Sequence, residues 1–126
     1  MIDEIRPMSS DDADPPRKTT EDVAAFVRNV EAETIRATSF AAFEPNDEVT
    51  WEKVRLVIAS GLNKLWEQGA LAGSTSDEAY FVEIGAGETM TQQDIDDGRL
   101  IAVVGIAPLY PAEFVVFQIT QFTQPG

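Results

Sequence analysis

Apolar residues recur at two different spacings along this chain, and the change from one to the other divides it. Val23, Phe26, Val27 and Val30 lie three and four residues apart, which predicts a first amphipathic helix from Thr19 to about Phe40. Thr19 and Asp22 have the spacing of a capping box at its start. The run Phe43-Glu44-Pro45-Asn46-Asp47 ends it, because proline disfavours helix in the residue before it and Asn-Asp supplies turn chemistry. A second helix follows, with Thr50 as its cap. Its stripe of Val54, Val57, Ile58, Gly61, Leu62, Leu65 and Trp66 repeats at i, i+3, i+4. Val54, Val57, Ile58, Leu62, Leu65 and Trp66 are the expected core, and Gly69 is placed to end the helix as its C′ residue.

Beyond "ALAGSTS" the spacing becomes that of strands. Ala79 to Ile84 is a short β-rich run, interrupted by "GAGE". Thr91 to Asp97 predicts one helical turn capped by Thr91, and Asp97-Gly98 turns the chain into "RLIAVVGIAPL", a strand apolar enough to be buried on both faces. Pro108 and Pro111 forbid a ladder through the next connection. A third strand then runs from Phe114 to Phe122 with no charged residue in it.

This order predicts an α+β domain over residues 19–126, with two helices packed on a small, mainly antiparallel sheet. Residues 1–18 mix Pro, Ser and Asp with few large apolar residues, a composition that predicts a flexible N-terminal arm. A three-stranded sheet has two edges of unpaired N–H and C=O groups, which monomers normally blunt with charge, proline or a covering element. An uncharged terminal strand therefore has two readings. It lies centrally between the other two strands, or another chain completes it by β-strand addition.

Composition narrows the function. At 126 residues with 44% hydrophobic content, the chain fits one domain with a real core. Its 22 acidic and 9 basic residues give a net charge of −13, which repels phosphate backbones and argues against a nucleic-acid partner. No stretch approaches the roughly 20 apolar residues that span a bilayer, so no membrane partner is expected, and the cytoplasm is the expected site of synthesis. With no Cys and no His, the usual nucleophile–base pairs and thiolate or imidazole metal sites are missing.

The remaining candidates for chemistry are weak. "DIDDG" at Asp94 to Gly98 resembles a calcium loop, but Val104 stands where an EF-hand needs glutamate, so helix-start and turn chemistry is the better reading. Glu31 and Glu33, two apart on a helix, diverge. Trp51 and Trp66 sit beside the apolar stripe of the second helix and read as core packing rather than a stacking pair. Gly85 and Gly87 lack the lysine and following helix of a phosphate loop. No enzyme, cofactor or metal is expected.

A family resemblance adds to this. "FEPNDEVTWEKVRLVIASGLNKLWEQGALAGSTSDEAYFVE" followed by "TMTQQDIDDGRLIAVVGIAPLYPAEFVVFQI" resembles the C-terminal domain of contractile phage tail sheath proteins over roughly Thr34 to Gln121. The specific parts are Phe43-Glu44-Pro45-Asn46, Thr50-Trp51, Leu65-Trp66 with Gly69-Ala70-Leu71, Thr89-Met90-Thr91 with Asp94 and Gly98, and Pro111-Ala112-Glu113-Phe114. The resemblance implies a structural, homo-oligomeric protein. Sheath subunits stack as rings around an inner tube, which this domain touches, and are joined by exchanged terminal strands.

On that reading Phe114, Val115, Val116, Phe117, Gln118, Ile119, Thr120 and Phe122 belong to a shared sheet. Ile2 and Ile5 belong to a second donated segment. The partners would be further copies or sheath subunits and the tube protein. The location would be the host cytoplasm during assembly, then a virion tail or injection particle. A small sheath cap, adaptor or initiator is an alternative, as is a stand-alone acidic binding protein or chaperone that reuses the domain.

Overall fold

The first helix, α1 (Thr20–Ala37), stops short of the expected Phe40. Thr34 and Thr38 each donate a side-chain bond to the carbonyl four residues back, at 2.7 Å to Val30 and Thr34. Thr38 then leaves helical geometry at ψ 9°, and the chain tightens into a 3-10 turn over Ser39–Phe43. The computed structural model describes residues 20–124. The expected arm over residues 1–18, the Thr19 cap and the sites Ile2 and Ile5 lie outside that range.

Helix α2 (Glu48–Glu67) is capped by Asp47, not by Thr50. Asp47 has the extended backbone a cap requires, and its carboxylate accepts the Thr50 amide at 3.1 Å. Thr50 lies inside the first turn and is buried. The far end follows the sequence reading. Gly69 at φ 83° donates to Trp66 and Ala70 donates to Leu65, the paired bonds of a Schellman cap. Trp51, Val54, Ile58 and Leu62 form the buried face of α2, with Leu65 and Trp66 half-buried beside them. Val57 corrects the expected core, because it is 36% exposed. It sits at the margin of the stripe, facing a groove between α1 and α2.

Two short helices, α3 (Ser76–Ala79) and α4 (Gln92–Asp96), complete four helices among the described residues, and the strands are β1 (Tyr80–Glu83), β2 (Arg99–Ile106) and β3 (Val115–Phe122). The sheet is antiparallel throughout in the order β1-β2-β3, so the fold is α+β. Leu100, Ala102, Val104 and Ile106 point from β2 into the core with Val54, Ile58 and Leu62 of α2. The expectation that β2 is buried on both faces is corrected, because Arg99, Ile101 and Val103 are only half-buried. The helices cover one face of the sheet. On the other, Phe81 lies over Gly105, where a Cβ would fall inside the ring.

Candidate subunit interface

Strand β3 is an edge, and its direction can be read bond by bond. Ala107 donates its amide to Ala79, so odd-numbered residues at this part of β2 turn their backbone groups toward β1. Even-numbered ones then face β3. The register of both pairings runs without a bulge, and Thr123 donates to Gly98 at 2.8 Å, which extends the same alternation beyond the strands. The N–H and C=O groups of Val116, Gln118, Thr120 and Phe122 therefore point away from β2. Among the described residues, no hydrogen bond from any element reaches them. The edge closes just past the strand, where Gln124 donates to the Glu44 carbonyl at 2.9 Å and pairs with Pro45.

The side chains of β3 divide in the same alternation. Ile119 is buried, Val115 and Phe117 are half-buried, and Gln121 donates from Nε2 to the Ile35 carbonyl at 2.8 Å and to Thr38 Oγ1 at 3.0 Å. These residues fasten the strand to α1 and to the core. On the opposite face Val116 is 55% and Phe122 67% exposed, Gln118 is exposed and Thr120 is half-buried. Phe114 is exposed just before the strand and meets Phe81 edge to face at 5.2 Å. With Ile101 and Val103 these side chains give the outer face of the sheet an apolar surface next to an open edge. Of the interface residues expected from the sequence, the structure places Val115 to Thr120 and Phe122 on this one strand and Phe114 just before it, but only some of them face outward.

The other edge is treated differently. The alternation that turns Ala79 toward β2 turns the carbonyls of Val82 and Ile84 away from it. Both are taken by Arg55 of α2, at 3.0 Å and 2.7 Å. Glu52 holds the same guanidinium at 3.4 Å. The sequence offers no signal for Arg55, because its role depends on how α2 lies along β1.

The remaining candidates are occupied by structure. Thr91 and Asp94 form a reciprocal capping box for α4, and Arg99 donates from Nε to Asp94 Oδ1 at 3.0 Å. The Thr91 amide, then the Thr91 hydroxyl and Arg99, hold the Asp94 carboxyl below its ordinary value. Trp51 donates from Nε1 to Asn46 Oδ1 at 2.7 Å, and Asn46 Nδ2 donates to the Arg99 carbonyl at 3.0 Å, so this indole ties the start of α2 to the start of β2. Trp66 donates to the Gly73 carbonyl. The amides of Gly85 and Gly87 bond to Thr89 and Met90 within their own loop. Between α1 and α2 lies an apolar groove of about 370 Å³, lined among others by Phe26, Val30, Ala37, Val57, Gly61 and Leu65.

Comparison with known proteins identifies the family of the chain. The family model described as the phage tail sheath C-terminal domain matches residues 13–122. Among solved structures, the sheath complex of an extracellular contractile injection system, PVC, in the contracted state is 50% identical, with a TM-score of 0.68 over 88% of this chain and 30% of that one. The anti-feeding prophage baseplate, 6-fold symmetrised, is similar at 43% identity and TM-score 0.68, over 79% of this chain and 28% of that one. The contracted helical sheath of the anti-feeding prophage is similar at 39% identity and TM-score 0.64, over 87% and 31%. The chain thus spans less than a third of the length of the solved chains it matches. No curated protein matches it.

Proposed function

Since this chain belongs to the phage tail sheath C-terminal domain family, we propose that it is a structural subunit of a contractile tail or contractile injection system, assembling as sheath-like rings around an inner tube by exchange of terminal strands. The observation that carries this is the outward backbone row of Val116, Gln118, Thr120 and Phe122, which has no partner among the described residues. A strand from a neighbouring copy or a sheath subunit would pair there through main-chain hydrogen bonds, and the exposed Val116 and Phe122 would pack against its side chains. Residues around Ile2 and Ile5 supply the donated segment in this reading.

The net charge of −13 suits docking against a basic face on a neighbour or on the tube. The role is non-enzymatic. The subunit assembles in the host cytoplasm and ends in a tail or injection particle.

The test is negative-stain microscopy of the purified chain, alone and mixed with the sheath and tube proteins of a contractile system. Rings or tubes that incorporate the chain, and that fail to form with Gln118→Pro, are expected. A chain that stays apart from both proteins contradicts the proposal.

A further inference from the structure

We infer that Arg55 is a specificity-determining residue for assembly: its guanidinium occupies the acceptor row of β1 and confines strand addition to the β3 side of the sheet. The inference rests on the strand-addition reading above but concerns the opposite edge. Val82 and Ile84 are separated by one residue, so their outward carbonyls stand about 7 Å apart along the strand, where an incoming strand would place its amides. Arg55 reaches both from α2, at 3.0 Å and 2.7 Å. A planar fork of five N–H donors can satisfy two such acceptors at once, which an ammonium on a single point could not.

The remainder of β1 is well suited to pairing. Tyr80, Phe81 and Val82 are aromatic or β-branched, the residue types that favour strands. What keeps this edge from recruiting a second chain is that the outward carbonyls of Val82 and, just past the strand, Ile84 are filled and a cation is placed there. α2 is held alongside by the bond from the Tyr80 hydroxyl to Asn63 Oδ1 at 2.9 Å, so Arg55 is delivered by a fixed element rather than by a loop. The number of open edges then sets the kind of assembly. One open edge gives each copy a single place to accept a strand, whereas two open edges let a sheet continue from copy to copy without end.

The experiment opens the second edge. The chain has no cysteine, so Glu83→Cys on the exposed end of β1 provides a single reporter thiol. Arg55→Ala and Arg55→Gln are each combined with it in the full chain and compared with Glu83→Cys alone by light scattering and by disulfide formation under mild oxidation. Arg55→Ala is expected to raise the average mass at least about twofold, through contacts that bring two reporter thiols together. Adding Gln118→Pro should leave a β1-joined pair and remove anything larger.

Arg55→Gln keeps an amide donor for one carbonyl. If Arg55→Ala does not fold, the same comparison is made with it. A folded Arg55 variant with unchanged mass and no disulfide overturns the inference. The strand-addition reading fails separately, if Gln118→Pro alone leaves co-assembly with sheath protein intact.

Discussion

The two edges of this sheet are made from similar residues and treated in opposite ways. β1 is four residues long, and a guanidinium from α2 fills its outward carbonyls at Val82 and Ile84. β3 is eight residues long, uncharged, and presents Val116, Gln118, Thr120 and Phe122 to no partner among the described residues until Gln124 meets Glu44. Apolar content does not separate them. The difference lies in whether another part of the same chain supplies donors and acceptors at the edge, which makes an open edge a property of the fold rather than of the strand.

The contrast is sharpest within β3 itself, whose two faces should respond differently to substitution. The largest effect is expected at Ile119, which is 2% exposed: Ile119→Ala should cost about 2–5 kcal/mol in urea unfolding. Val116→Ala on the outward face should stay within about 0.5 kcal/mol. Proline gives the next largest difference. Phe117 turns its amide toward β2 and Gln118 turns its amide outward, so Phe117→Pro should cost about 1–3 kcal/mol more than Gln118→Pro. Only Gln118→Pro should yield a folded chain that no longer assembles. Removing everything after Pro111 would not separate the functions, because that cut takes Ile119 from the core along with the open edge.

The smallest effect belongs to a corner away from both edges. The folded-state pKa of Asp94 is lowered from its ordinary 3.8 by the Thr91 amide, the Thr91 hydroxyl and Arg99. A depressed carboxyl pKa contributes stability above the unfolded-state value and loses it as pH falls through the lower, folded-state value. Unfolding followed below about pH 4 should therefore be less steep in Asp94→Asn than in the parent, with assembly unchanged at neutral pH.

Much of the fold was legible because local chemistry decided it. Gly69 as C′ residue, the Thr91 cap and the strand following Asp97-Gly98 all depend on neighbours within a few residues. What was not legible depended on the third dimension. Asp47 displaced Thr50 as the cap, because Asp47 itself is extended and the chain reaches helical geometry one turn earlier than the apolar stripe suggests. Val57 has the spacing of a core residue but faces the groove beside α1. The run from Arg99 to Ile106 reads as doubly buried, yet helices pack on one face only. The candidate interface was legible as a strand and not as an edge. Its composition allowed a central position, and only the order β1-β2-β3 turns its even-numbered residues outward. Arg55 had no sequence signal at all.

Four outward backbone positions make up the open edge, so the most direct measurement is amide hydrogen exchange resolved residue by residue along β3, in the isolated chain and after assembly with sheath and tube proteins. In the isolated chain the amides of Phe117, Ile119 and Gln121 should be protected by β2, while those of Val116, Gln118, Thr120 and Phe122 exchange freely. Assembly should slow the second set and leave the first nearly unchanged. If the outward amides exchange as fast in assembled particles as in the free chain, the subunits are joined by some other surface and the account is wrong.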